Sequence, residues 1–336
     1  MAVVTIEELD PDAVDDATLV QLAELTTVEE REVAPDDPPV TVGEEADELR
    51  LRPSYEDVHL WVARDPEGRL LGRAGLWIEH REDNQHLAEL WVVVRPEARR
   101  QGIGRRLVDV TTERARGEGR TTVLGMTTVG SESSEAARAL GAEVALVERI
   151  SRLRTAEVDR ALLDAWIARA PERAAGYSLV AWDDRCPDEL LEQFAGVKGV
   201  MNTAPRGELD MEDEVHTPPM IREFEASRTA KGTAIWTIAA RHDATGDLVG
   251  YTALFLQKHR PWQAHQGDTA VDPAHREKGL GRWLKAVNLR RLLDERPAVQ
   301  VVDTGNASSN EPMLNLNVAL GFRPLAEVEG LQLKLA

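Results

Sequence analysis

Two stretches of this 336-residue chain carry one chemistry-bearing pattern: Val94-Arg95-Pro96-Glu97-Ala98-Arg99-Arg100-Gln101-Gly102-Ile103-Gly104-Arg105 and Val271-Asp272-Pro273-Ala274-His275-Arg276-Glu277-Lys278-Gly279-Leu280-Gly281-Arg282. In each, a β-type run meets a proline turn, an Arg-x-x-Gly-x-Gly loop and then a helical pattern, so the glycines stand where a strand hands over to a helix N-terminus. Such a place holds phosphate. First-turn N–H groups lack intrahelical partners, aligned peptide dipoles add partial positive charge, and glycine lets the backbone approach a ligand or take φ > 0. Arg95 and Arg106 add charge around the first loop and Lys285 around the second, against a chain whose net charge is −19. A nucleoside-triphosphate loop would need Gly-Lys-Ser/Thr, and a dinucleotide loop a third glycine where this chain has Leu107 and Leu284.

The elements that must position these loops repeat as well. Gly279 minus Gly102, Arg276 minus Arg99 and Val271 minus Val94 all give 177, and Gly250 minus Gly72 gives 178. The first half reads as strand Val3–Glu7, helices Asp16–Leu25 and Val42–Leu51, strands Leu60–Arg64, Leu70–Glu79 and Leu87–Val94, helix Gly104–Arg116, strand Thr121–Met126, helix Ser133–Leu140 and strand Val144–Leu153. The second half reads Tyr177–Trp182, Ala234–Arg241 and Leu248–Gln257 as strands, Arg282–Glu295 as a helix, Ala298–Thr304 as a strand and Glu311–Leu320 as a helix stopped by Gly321. Asp65-Pro66-Glu67-Gly68 and Asp243-Ala244-Thr245-Gly246-Asp247 are matching hairpin turns. The expected organisation is therefore two domains, 1–154 and 176–336, joined by an amphipathic helix over 155–175.

Arg/Gln-x-x-Gly-x-Gly/Ala resembles the pyrophosphate loop of the GNAT superfamily of acyl-CoA-dependent N-acetyltransferases. Thr304-Gly305-Asn306, Asn310, Met313, Asn317 and Leu320-Gly321-Phe322 resemble that family's second motif, where an Asn begins a helix beside the pantetheine arm. The resemblance implies an α/β fold (α+β, mixed sheet) written twice in tandem, splayed at the fourth and fifth strands where acetyl-CoA enters. It assigns cofactor binding in the second half to Thr269, Ala270 and Val271, to the loop Arg276, Glu277, Lys278, Gly279, Leu280, Gly281 and Arg282, and to Asn306 and Asn310. In the first half it assigns Val92, Val93 and Val94 and the loop Arg99, Arg100, Gln101, Gly102, Ile103, Gly104 and Arg105.

Many members place a tyrosine seven residues beyond the helix-starting Asn and four before the Gly, as proton donor to the leaving thiolate. Counted from Asn310 and Gly321, that place is Asn317, whose amide has no useful acid pKa. The first half has Gly130 and Ala137 at the Asn and Tyr places, which makes it the degenerate copy and the second the catalytic one. Tandem architecture of this kind resembles that of mycothiol synthase.

Direct acyl transfer to an amine needs a base and an oxyanion donor rather than a covalent intermediate. Candidate bases are Glu214 and His216, with Asp268 and His265 on the fourth strand; His86 and Glu89 are the first-half counterparts. The acids Glu208, Asp210, Glu212, Asp213 and Glu214 cluster where an acceptor should enter, which favours a small cationic amine. Transfer to a protein amine and acyl-CoA sensing without catalysis are the competing expectations.

The charge balance argues against nucleic acid. Met1–Glu8 has no basic n-region, no run approaches 18 apolar residues, and one cysteine, Cys186, fits a reducing compartment, so a cytoplasmic protein without membrane contact is expected, as monomer or homodimer. His80, Glu82 and His86 lack a third metal ligand at suitable spacing, so no metal is expected, and Trp61, Trp77, Trp91, Trp236 and Trp283 read as packing residues.

Overall fold

The computed structural model describes the chain from Val4 to Leu335. Its elements run β1 (Thr5–Leu9), α1 (Asp16–Glu30), α2 (Val42–Arg50), β2 (Glu56–Arg64), β3 (Leu70–Glu79), β4 (Leu87–Val94), α3 (Ile103–Gly117), β5 (Thr122–Thr128), α4 (Glu132–Ala139) and β6 (Glu143–Arg154). They continue α5 (Arg160–Arg173), β7 (Tyr177–Asp183), α6 (Leu191–Lys198), α7 (Pro218–Ala230), β8 (Thr233–His242), β9 (Leu248–Gln257), β10 (Gln263–Val271), α8 (Leu280–Glu295), β11 (Val301–Ala307), α9 (Glu311–Leu320) and β12 (Arg323–Lys334). Strand and helix periodicity in the sequence placed most of these within a few residues; α6 and α7, whose apolar positions follow no clean stripe, were not legible.

The chain forms two compact units. One holds the chain up to Glu148, Arg206–Glu212 and everything from Leu325 onward; the other holds Arg149–Pro205 and Asp213–Pro324. This differs from the expected division at 154 and 176. The reason lies in the repeat itself: β6 and β12 follow the equivalent turns Leu140-Gly141 and Leu320-Gly321, so either strand suits either unit. In the first unit β12 pairs antiparallel with β5, from Thr122↔Lys334 to Thr128↔Val328, while the stretch of β6 after Glu148 belongs to the second unit. α5, expected as a linker, is likewise a core element of the second unit: its Leu163 is fully buried among Leu254, Leu289 and Leu292, with Trp166 against the same cluster.

Each unit repeats one sheet plan. In the first, β1, β2, β3 and β4 form an antiparallel series and β5 joins β4 in parallel. In the second, β7, β8, β9 and β10 do the same, with β11 parallel to β10. The shared glycine pair has a steric cause: a Cβ at Gly72 would lie 2.8 Å from the Val93 carbonyl oxygen, and one at Gly250 would lie 2.7 Å from that of Ala270. α3 packs Ile103, Leu107 and Ala115 onto one face of the first sheet, and α8 packs Leu280, Leu284, Leu289 and Leu292 onto the second.

Candidate functional site

Side-chain capping separates the two loop helices from most of the others. Asp15, Thr41, Ser131, Asp159, Thr217 and Asn310 each accept a hydrogen bond from a first-turn N–H of α1, α2, α4, α5, α7 and α9. α3 and α8 instead start on left-handed glycines, Gly102 at φ 81° and Gly279 at φ 79°, with no side-chain cap. Two residues earlier, Arg100 and Glu277 also lie in the left-handed region, at 62° and 65°. Alternation of this kind turns successive N–H groups to one side, and uncapped helix donors continue the set, which is a cradle for an anion. The residues at 276–282 and 99–105 therefore fit the pyrophosphate of an acyl-CoA through their backbones.

Their arginines do other work. Arg276 Nε donates to the Val271 carbonyl at 2.9 Å and its guanidinium reaches the Thr203 hydroxyl at 2.6 Å, tying the loop to the preceding strand and to the turn after α6. Arg99 makes the same bond to Val94 at 3.1 Å, but its guanidinium is held by two carboxylates, Glu132 at 2.9 Å and Glu32 at 3.1 Å.

Beside the second loop the sheet opens as expected of the fold. β10 and β11 pair only from Gln263↔Val301 to His265↔Asp303, after which β10 keeps its bonds to β9 alone. A register shift between Gln266 and Thr269 marks the opening, and the buried Gln266 amide stabilises it by donating to the Ala253 carbonyl at 2.8 Å and the Thr252 hydroxyl at 3.1 Å. Thr269, Ala270 and Val271 lie beyond this bulge, so their β11-facing edge is left without strand partners. In the first unit β4 and β5 part in the same way after Glu89↔Leu124, leaving Val92, Val93 and Val94 past the last pair.

Asp268 sits at the bulge. It accepts from the Tyr251 hydroxyl at 2.7 Å and from the Lys198 ammonium at 3.3 Å. Burial alone would raise its carboxyl, but Lys198, the Tyr251 hydrogen bond and His216 outweigh it and hold the pKa below the usual carboxylate range. Burial and the Asp268 charge together push the Tyr251 phenol well up, with Glu214 adding to the effect. His216 Nε2 lies 3.6 Å from Glu214. The Glu214 backbone is clamped by Asn202, whose side chain gives and takes one hydrogen bond at 2.9 and 3.0 Å. Glu214 and His216, two residues apart, are thus brought into electrostatic range of the sequence-distant Asp268 and Tyr251. His265 stands exposed on β10 with its ring toward Phe255, 6.4 Å between centroids.

The acidic run does not stay together. Arg206–Glu212 belongs to the first unit, where Asp210 binds Lys334 and takes His86 at 3.6 Å, and Glu212 accepts from the Asn84 N–H at 3.0 Å. Those carboxylates have local partners, and His86 Nε2 donates to the Asp210 carbonyl, 3.0 Å away, so the first-half base candidate is engaged. His80 goes elsewhere, to Asp57 at 2.7 Å.

At the far side of the opening, Asn310 spends its side-chain oxygen capping α9, 3.4 Å from the Met313 N–H. Asn317 is buried. Its oxygen accepts from Lys285 at 2.8 Å, and its NH2 donates to Asn306 Oδ1 at 2.7 Å. Lys285 was expected to add charge to the phosphate loop; it is fully buried, and burial pushes its ammonium down to about 7. Its signal in the sequence is a lysine interrupting the apolar face of a helix, between Gly281 and Leu289. Cys186 is also buried, with its thiol pushed up to about 12, which leaves no nucleophile there.

Comparison with known proteins decides the class. The acetyltransferase (GNAT) family matches residues 20–141 and again 202–322. The chain belongs to the GNAT family. A tandem GNAT protein from the clavulanic acid biosynthesis pathway is similar over 99% of this chain and 98% of its own, with 30% identity and a TM-score of 0.79. A GCN5-related N-acetyltransferase from Sphaerobacter thermophilus shares the fold at 14% identity and TM-score 0.66, over 98% and 95% of the two chains. A GCN5-related glucosamine N-acetyltransferase region of a fungal multi-domain β-N-acetylglucosaminidase does so at 14% and 0.67, over 99% of this chain and 38% of that one. No curated protein matches the sequence. This GNAT chain is thus a tandem acetyltransferase. Among its described residues no helix is long and apolar enough to cross a membrane, and no group of three His, Cys, Asp or Glu is placed to hold a metal.

Proposed function

We propose that this tandem GNAT protein transfers acetyl from acetyl-CoA to the primary amine of a small cationic molecule, and that the second unit performs the reaction. The reading rests on the convergence of His216, Glu214, Asp268 and Tyr251 at the bulge that opens β10. Acetyl-CoA supplies an activated thioester carbonyl when bound. The chain supplies position, a base and oxyanion donors.

An alkylamine arrives as an ammonium, pKa about 10, and must lose a proton before it can attack. His216, half-buried and oriented by Glu214, is the base. Asp268 is held too low by Lys198 to take that proton and serves instead to fix Tyr251 and Lys198 along the wall of the site. On the opened edge of β10 the backbone N–H groups of Thr269 and Val271 face the reacting carbonyl, Ala270 and Asp272 turning theirs to β9. Glu214, partly exposed, attracts the cationic acceptor. The first unit supports the same division, since an Arg73–Glu45 ion pair at 2.5 Å occupies the place equivalent to Tyr251.

The test is a panel of small amines with acetyl-CoA, reading thiol release at low and high salt. Cationic amines should be preferred, with efficiency falling as ionic strength rises. Preference for neutral or anionic acceptors would overturn the acceptor reading, and acetyl-CoA binding without release for any amine would leave a sensing protein.

A further inference from the structure

Lys285, Asn317 and Asn306 form a directional chain of hydrogen bonds at the opened end of the second sheet. In its ammonium form Lys285 can only donate, so in that form the Asn317 oxygen faces Lys285 and its NH2 faces Asn306 Oδ1. Asn306 is thereby fixed with its own NH2 turned away from Asn317. Among the described residues that NH2 has no hydrogen-bond partner, and Asn306 is partly exposed three residues past Asp303, the last β11 residue paired with β10.

Among the described residues the lysine at the head of this chain has no counter-charge. No carboxylate of α8, α9 or β11 lies within ion-pair distance of Lys285; its other neighbour is the Phe322 ring, 5.6 Å from Nζ. Burying a charge unpaired is costly, and such groups persist where an opposite charge develops. The fold does not demand it. By the repeat offsets, 285 minus 177 gives Val108 and 317 minus 180 gives Ala137, so the first unit builds the same helices on apolar residues.

We propose that Lys285, acting through Asn317 and Asn306, is a positioning residue that stabilises the CoA thiolate as it leaves, in place of a side chain that protonates it. The inference rests on the second unit being the acetyl-transfer site. His216 takes the first proton of the ammonium and passes it to solvent; when the neutral amine attacks, the carbon–nitrogen bond forms, the carbon–sulfur bond breaks with its electron pair going to sulfur, and the second amine proton goes to the freed His216. The sulfur receives no proton from the chain; Asn306 donates a hydrogen bond to it, polarised by the ammonium behind.

The decisive measurement is the ionisation of bound CoA, not turnover. With full-length protein carrying Gly102→Trp, so that the second loop holds the ligand, CoA is added and thiolate absorbance followed against pH. Cys186, pushed up to about 12, stays silent over the range. The bound thiol should ionise at least about one pH unit below free CoA, whose thiol lies near the usual value of about 8.5. Lys285→Met should return it to the free value, and Lys285→Arg should retain most of the shift. The methionine variant should fold, since Val108 fills the equivalent place. CoA bound with the same thiol ionisation in wild type and Lys285→Met overturns this inference alone. No CoA bound to the Gly102→Trp protein would overturn it together with the assignment of the second unit.

Discussion

The two glycine loops that open α3 and α8 share a backbone and differ in everything around it. Gly102 and Gly279 lie at φ 81° and 79°, Arg100 and Glu277 at 62° and 65°, and both helices begin without a side-chain cap. Yet Arg99 is clasped by Glu32 and Glu132, whereas Arg276, among the described residues, meets a carbonyl and a hydroxyl. Arg73 pairs with Glu45 in the first unit, with Glu29 beside them, its carboxyl raised by burial, while Tyr251, Asp268 and Lys198 hydrogen-bond together at the corresponding place in the second. A duplicated fold keeps what the backbone needs to fold. Side chains that do chemistry are free to diverge, because the sheet and helices pack without them.

The largest expected effect breaks the comparison at the loops. Gly279→Trp places a Cβ and a bulky ring in a left-handed cradle and should abolish thiol release, while Gly102→Trp should remove a CoA equivalent from the first loop. Equal losses of turnover at both positions would erase the division of labour. Next in size is the base. His216→Ala should lower kcat by about 10²–10⁴ and Glu214→Gln by less, with activity partly recovered as rising pH deprotonates the amine. An unchanged pH–rate profile in His216→Ala would move the base elsewhere.

A third prediction concerns stability. The Lys285 pKa falls from 10.5 unfolded to about 7 folded, so between those values the unfolded chain binds more protons and stability rises with pH. The penalty is full below pH 7 and vanishes above about 10.5. Lys285→Met should therefore melt higher than wild type near pH 6, with the gap narrowing as pH rises through that window. A gap independent of pH would mean the lysine is not buried as a cation. The smallest effect sharpens the contrast at Arg99: Glu132→Gln releases one partially exposed ion pair, worth roughly 0.2–1 kcal/mol, and should change CoA affinity at the first loop by at most about fivefold. Calorimetric titration would detect it.

Much of the candidate site's backbone was legible from residue types. The Arg-x-x-Gly-x-Gly spacing located both cradles because glycine at φ > 0 and free helix donors are local requirements, and Leu70–Glu79, Leu87–Val94 and Leu248–Gln257 matched their strands because alternation over a hairpin is local too. Asn317 stood out by counting from Asn310 and Gly321. Glu214 and His216 were reached only through the family resemblance.

What the sequence determined by itself was the duplication, the loop chemistry and the absence of tyrosine at position 317. The tertiary structure alone decided which unit received β12, because the repeat makes β6 and β12 equivalent partners and sequence cannot choose between two edges of the same pattern. It also divided the acidic run, sending Asp210 and Glu212 to the first unit and leaving Glu214 beside His216. Lys285 was decided there too: a lysine near a phosphate loop reads as surface charge, and only the packing of α8 against α9 turns it inward to Asn317.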